Sequence, residues 1–505
     1  MARSFAVMLV ASGCFQPTTL EGSEWDAAGR TDAEHAGLDA ERAGSDAAGP
    51  ADAASVVDAA LSKGDAGMRP DAATVGRDAQ ALDDAGADCA CDDLDPCTVD
   101  WCDSSLTCRH EPQPDETDCL LGRCCGGACV PTFTDPAHCG GCASACQAGK
   151  RCWGGGCRPC TQAFGTRKDY STPDNATSLA AADFDGDGKP DLATATMNGK
   201  TVTLYFNQEA GAFGGRVDLA LPEMAMRLAA GDLDRDGDPD LAVSVGNELL
   251  MLKNQGGTFA APVKLASGSM VLAVAIGDVN GDGAADVLFT SQMGASFSVL
   301  LGQAGGTFAP KQDYATGGEP MGLALGDVNG DGLMDVAVIT GDDNSVAVRL
   351  GVGKGAFGAE SKLVAGTSPW GVAIGDANQD GKPDLAVANR YSDTVSVFRG
   401  KGDGTFLPKA DSATGSYPYS VAIADVNGDG KAELVVANGT GSSVSVLLGP
   451  GDGTFPAKVD FSLAEHSWPN TVLVADLNGD GALDVAVANG VFDSSSISVM
   501  LGVCY

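Results

Sequence analysis

Seven copies of one acidic loop, D-x-[DN]-x-D-G-x-x-[DE], recur between Asp183 and Asp484. Their first residues are Asp183, Asp232, Asp278, Asp327, Asp376, Asp425 and Asp476, which gives steps of 49, 46, 49, 49, 49 and 51 residues. A period of that length belongs to a ring or solenoid of supersecondary units, none of which buries its apolar face alone. The sixth copy shows the unit clearly. Ser420–Ala424 runs into the loop, Leu434–Ala437 follows, and Asn438-Gly439 turns the chain into Ser443–Leu448. After Gly451–Phe455 comes Lys458–Phe461. These are four short strands with alternating or continuous apolar character, separated by turn residues. Four strands per repeat, seven times over, predict an all-β fold: a seven-bladed β-propeller over residues 161–505.

The ends predict how the ring shuts. The seventh repeat stops after its third strand, Ser496–Leu501, while Phe164–Tyr170 aligns with the fourth strand Phe308–Tyr314. An N-terminal strand is therefore expected to complete the last blade and remove the open sheet edges. In the same alignment Cys160 and Cys504 fall on one column, that of Gly451, so a disulfide is expected to lock the closure. The unit resembles the FG-GAP/VCBS repeats of integrin-α-type propellers. Phe213, Phe259, Phe308, Phe357, Phe406 and Phe455 stand where that family carries its FG element.

The loops carry their own chemistry. Asp183, Asp185 and Asp187 are spaced two apart as in an EF-hand loop; Gly188 permits the sharp turn, the Lys189 carbonyl can coordinate, and Asp191 supplies the ninth position. The second loop offers Asp232, Asp234, Asp236 and Asp240, and the third Asp278, Asn280, Asp282 and Asp286. The fourth offers Asp327, Asn329, Asp331 and Asp335, and the fifth Asp376, Asn378, Asp380 and Asp384. Asp425, Asn427, Asp429 and Glu433 make the sixth, and Asp476, Asn478, Asp480 and Asp484 the seventh. The twelfth position, Glu in an EF-hand, is Thr194, Val243, Phe289 or Val338 in the first four, so this is a strand–loop–strand version. All-oxygen donors predict Ca²⁺ at about seven sites, rather than zinc or Mg²⁺. The first two loops, with four carboxylates each, are expected to bind most tightly.

Charge agrees with that reading. The chain has a net charge of −37, and residues 161–505 hold 42 acids against 20 bases. Of those acids, 23 lie at the ligand positions. Seven divalent ions would bring this segment to about −8, ordinary for a soluble domain. The balance argues against nucleic acid, which requires a basic face.

Upstream, Met1–Cys14 resembles a bacterial lipoprotein signal: Arg3, an apolar run, then Ala11-Ser12-Gly13-Cys14. Lipidation at Cys14, with an outer-membrane or cell-surface location, is expected; an ordinary export signal is the alternative. Residues 15–88 are rich in Ala, Asp and Gly and read as a disordered tether. Residues 89–160 are dense in cysteine, dividing into six from Cys89 to Cys119 and eight from Cys124 to Cys157, as in two disulfide-stapled modules. The second resembles the Cys-rich modules of stigma-specific-type proteins. Zinc at His138, Cys139 and Cys142 is the competing reading.

If the acidic loops join first and second strands, the opposite face gains aromatics late in the chain. These are Trp370, Tyr391, Tyr417, Tyr419, Trp468 and Phe492; earlier blades offer Met224, Met226 and Met321. Exposed, they would stack on sugars or anchor a protein loop; the other reading is packing between blades. The resemblance implies a surface adhesion or recognition module for protein or glycan, of integrin-α or propeller-lectin type. The alternative is a propeller-type polysaccharide lyase or hydrolase, for which His466 is the one histidine available in the ring as a general base.

Overall fold

The computed structural model describes residues 164–209, 211–490 and 495–502, with short backbone strands between residues 11 and 159. Cys14, the tether, Cys160, Cys504 and Phe492 lie outside the described residues. Residues Gln16–Glu111 form one unit and the rest of the chain another. In the first, Thr98–Cys102 pairs with Cys108–Pro112. In the second, Asp118–Cys119, Gly122–Cys125 and Ala128–Val130 make a three-stranded sheet, and Lys150–Trp153 pairs with Gly156–Pro159.

The repeats fold as seven antiparallel sheets, each built on four strands in up-and-down order, successive along the chain except in blade seven, whose fourth strand comes from before blade one. Blade one is Ala176–Ala182, Asp191–Thr196, Thr201–Glu209 and Ala212–Ala220. Blade six is Pro418–Ala424, Glu433–Asn438, Ser443–Leu448 and Ala457–Ser462, within two residues of the ranges read from the sequence. The first strand of every blade packs on those of its two neighbours, and blade seven returns to blade one, so these strands encircle an axis.

Burial falls from the axis outward. Second strands such as Asp335–Thr340 and Asp384–Asn389 are buried at every residue, whereas the fourth strand Ala457–Ser462 is almost wholly exposed. This explains the patterning: central strands covered on both faces read as continuous apolar runs, and outer strands alternate or turn polar. The core sits between blades, where facing Val, Leu and Ala side chains meet, as in the cluster of Val421, Leu434 and Val436 with Ala386 and Val395. Burying each Val or Leu contributes about 1.5–3 kcal/mol.

The ring closes as predicted. Lys168–Ser171 pairs antiparallel with Ser496–Met500, placing Tyr170 opposite Ile497. Phe164 bridges Gly502, the register in which Phe357 faces Gly351. Tyr170 also does for blade one what Tyr314 does for blade four. Its hydroxyl accepts the Phe213 N–H at 3.1 Å, as Tyr314 accepts that of Phe357 at 3.1 Å. Both ring pairs lie 5.6 Å apart, edge to face.

Candidate functional site

Each acidic loop is folded around its own first carboxylate. In blade one, Asp183 Oδ1 accepts N–H bonds from Gly186 and Asp187, and Oδ2 accepts from Gly188 at 2.8 Å. Asp278, Asp327, Asp425 and Asp476 repeat the pattern. Two backbone positions must be left-handed to aim those donors: the sixth, Gly188 (φ 87°), and the fourth, Gly186 (φ 76°). In two loops the fourth is not glycine but Arg235 (φ 66°) or Gln379 (φ 63°).

The ninth-position carboxylates are buried in all seven loops. Asp191 is fully buried; one oxygen accepts the Phe184 N–H at 2.9 Å, the other the Asn207 N–H at 2.8 Å. Asp286, Asp335, Asp384 and Asp484 likewise tie the loop to the end of the third strand. Burial, the strongest influence, pushes Asp191, Asp240, Asp286 and Asp384 up to about 6 and Asp484 to about 7. Glu433 rises to about 8, through burial and then the charge of Asp429. These acids are first of all staples between strands.

Among the described residues, two loops bring three carboxylates together. Oxygens of Asp183, Asp185 and Asp187 lie within 4.8 Å of one another, as do those of Asp232, Asp234 and Asp240. A compact all-oxygen cluster of this kind suits a hard divalent cation. In blade two an internal cation competes: Lys253 Nζ contacts Asp234 and lies 3.2 Å from Asp236. Blade one has a milder competitor, since Lys189 Nζ lies 2.9 Å from the exposed Asp187, while Asp185 is exposed and Asp183 half-buried, so it offers the better-fitting set. In blades three, four and seven the Asn at the third position donates its amide to the fifth-position Asp, as Asn329 Nδ2 does to Asp331 at 2.9 Å. Asn427 donates instead to Glu433, at 2.8 Å.

The loops also lie at the seams between blades. The turn joining third and fourth strands packs on the third-position residue of the preceding loop. A Cβ on Gly306 would come 2.8 Å from that of Asp234, and one on Gly257 3.1 Å from that of Asp185.

The opposite face carries the aromatic residues, and they converge. Tyr391 meets Tyr417 (5.4 Å between ring centres), Tyr417 and Tyr419 meet Trp468 (6.4 and 6.2 Å), and Trp370 meets Tyr419 (5.5 Å). Their exposure is graded. Trp370 and Tyr419 are buried, Tyr417 and Trp468 are half-buried, and Tyr391 is 54% exposed. The reading of Trp370 and Tyr419 as stacking platforms is thus corrected: both rings are covered and pack between blades. At the centre lies Arg390, whose guanidinium carbon sits 4.4 Å from the Tyr391 ring centre and 4.6 Å from that of Trp370. It lies 5.7 Å from Tyr419 and 5.8 Å from Tyr417. His466 is exposed in the loop entering blade seven.

A family model described as an FG-GAP-like repeat matches residues 183–243, 278–338, 327–387, 376–436 and 425–487, together more than half of the chain. The chain belongs to the FG-GAP-like repeat family. No curated protein matches this FG-GAP-like chain. Among solved structures, BBS1N in complex with ARL6DN matches with 11% identity and a TM-score of 0.50, covering 67% of this chain and 96% of that one. An Agrocybe aegerita lectin whose structure concerns recognition of non-reducing terminal N-acetylglucosamine matches at 17% identity and a TM-score of 0.45, covering 66% and 86%. A functionally unknown protein from Desulfotomaculum acetoxidans DSM 771 matches at 14% and 0.41, covering 58% and 91%.

Within the FG-GAP-like repeat, Arg390 escaped motif-based reading because it belongs to no motif. The signal lay in the repeat alignment. Fourteen residues after each loop's first Asp stand Met197, Gly246, Gln292, Gly341, Arg390, Gly439 and Gly490. A cation in a column where four blades have glycine marks a local specialisation.

Proposed function

We propose that this chain is an exported, surface-tethered, calcium-binding propeller that serves as a recognition and adhesion module for a protein or a glycan. The observation that carries the reading is the aromatic cluster around Arg390, with Tyr391 turned to solvent on the face opposite the acidic loops. Exposed aromatics beside a held cation are the composition of binding hot spots. The loops stiffen the scaffold from the other side. In blade one Asp183, Asp185 and Asp187 would hold Ca²⁺, whose charge offsets their mutual repulsion. BBS1N, the fold match seen in complex with ARL6DN, gives an analogy in which a chain of this fold engages a protein.

The upstream segments fit the same role. A lipid on Cys14 would anchor the chain, residues 15–88 would hold the ring off the membrane, and cystine-stapled modules would bridge tether and propeller. A Cys160–Cys504 disulfide would secure the closure. Screening the full chain on glycan and protein arrays, with calcium and after chelation, tests the function. Saturable binding that Tyr391→Ala weakens supports it; a chain that captures nothing on either array under both conditions overturns it.

A further inference from the structure

Resting on the recognition reading above, we propose that Arg390, held in its aromatic nest, is an anion-anchoring group for a sugar bearing a carboxylate. The pyranose ring would lie on Tyr391 and the carboxylate would meet the guanidinium. The argument begins with charge. In a chain of net charge −37, Arg390 has no carboxylate partner among the described residues. Its polar contacts there are few: Nη2 donates to the Tyr391 hydroxyl, while Nε is enclosed without an acceptor. Most other cations of the ring are paired, as Arg216 is with Asp218 and Lys362 with Asp343. Arg390, 8% exposed as a residue and short of acceptors, is primed for an oxygen anion, because its forked donors match a carboxylate.

The nest explains how the charge is kept there. The faces of Trp370 and Tyr391 lie under 5 Å from the guanidinium carbon, and cation–π attraction holds it without neutralising it. Space for the nest is made by Gly439, where a Cβ would strike the Tyr419 ring. Two contributing residues sit in unfavourable backbone: Tyr417 (φ 60°) and Trp468 (φ 45°). The turn requires that geometry, since Met270 and Ser368 share it at the same repeat position (φ 58° and 54°). It does not require a ring there, so the bulky choice serves the nest.

Sugar is favoured over acidic peptide on two counts. The exposed element beside the cation is a flat aromatic face, which suits the C–H face of a pyranose. The surrounding ring is strongly acidic, so a ligand with one carboxylate on a neutral body pays less repulsion than a run of Asp or Glu. Asp393, which accepts the Tyr417 N–H at 2.8 Å, stands at the same rim as an acceptor for sugar hydroxyls.

The test titrates the full calcium-loaded chain with methyl glucuronoside, methyl glucoside and a hexapeptide of alternating Glu and Gly, by calorimetry and tryptophan fluorescence. The expected result is saturable binding of the glucuronoside, with the glucoside at least about tenfold weaker, the loss of one charged hydrogen bond. Arg390→Gly adopts the residue of four other blades and should erase that preference; Arg390→Gln should do the same if the glycine variant folds poorly. Tyr391→Ala should weaken both sugars together. Equal affinity for the two sugars, a preference that survives Arg390→Gln, or no binding of the glucuronoside at millimolar concentration overturns the proposal. Binding of the peptide in place of the glucuronoside overturns it too, while leaving the recognition function standing. Failure of that broader function would show instead as silence on both arrays.

Discussion

Left-handed backbone is the recurrent cost of the acidic loop, and two loops bear it at a residue other than glycine: Arg235, whose guanidinium reaches Asp282 at 3.2 Å, and Gln379. Gln379 holds φ 63° where five other loops have glycine. The left-handed conformation costs an L-residue about 1–2 kcal/mol, against a smaller entropic cost for glycine. Gln379→Gly should therefore raise the denaturant midpoint by the equivalent of about 0.5–1 kcal/mol, and Gly381→Ala (φ 78°) should lower it by about 1–2 kcal/mol. A destabilised Gln379→Gly protein would mean that the glutamine side chain is itself structural. Asp343 gives a pH-dependent case. Burial would raise its carboxyl, but hydrogen bonds from Lys362, Thr340 and Ser345 outweigh that and hold it down at about 2. A lowered acid stabilises the fold above its unfolded value near 3.9 and loses that contribution as pH falls through the folded one. With its side chain 37% exposed, screening limits the effect to about 1 kcal/mol. Asp343→Asn should be less stable than the parent from pH 5 to 7, in denaturant titrations, with the gap closing toward pH 2. A gap that stays constant with pH would rule out this origin.

At the scale of the strand and loop, one device repeats on the outer surface. An Asp on the fourth strand accepts from a Ser or Thr on the third and from a Lys or Arg two residues earlier. Asp460 with Ser445 and Lys458, and Asp411 with Ser396 and Lys409, are examples, and Asp169 with Ser498 and Arg167 carries it into the closing strand. The acidic loops do a larger task, since each lies under the next blade's turn. Chelation should lower the melting temperature, because an occupied site stabilises by about 2.7 kcal/mol at a hundredfold excess of ion over its Kd. By calorimetry Asp183→Asn with Asp187→Asn should bind one equivalent fewer, and Lys253→Ala should strengthen binding in blade two by removing the internal cation. Unchanged stoichiometry in the double variant would exclude blade one as a site. Strands and loops were legible because apolar runs, turn glycines and carboxylate spacing act locally and repeat. The ninth-position staple was not, since spacing says nothing of which carboxylate turns inward. Nor was the competition from Lys253, a residue nineteen positions from Asp234. The graded burial of Trp370, Tyr419 and Tyr391 depends on three blades at once, so no single repeat discloses it.

The whole molecule depends on one non-local event, the joining of residues 164–171 to a strand more than three hundred positions away. Phe164 is 2% exposed and Phe455, its counterpart in blade six, 4%. Replacing either by Ala should cost about 3–5 kcal/mol of packing. The consequences should differ. The Phe455 strand is tethered to its partner by a short turn and will re-form, whereas the Phe164 strand must find its place from the far end of the chain. Hydrogen exchange should therefore speed up across Ser496–Met500 in Phe164→Ala, while Phe455→Ala leaves blade seven protected. Exchange that rises equally in both variants would mean that closure is no weaker than any other seam. A Cys160–Cys504 link would change this balance, since a bond enclosing the ring removes loop entropy equivalent to about 5 kcal/mol from the unfolded chain. In the oxidised parent, Phe164→Ala should then loosen packing without releasing the strand, and release should appear once Cys160 and Cys504 are both replaced by Ser. If the Ser pair melts where the parent does, and peptide mapping recovers the two cysteines apart, the ring is held shut by Phe164, Tyr170 and the strand hydrogen bonds alone.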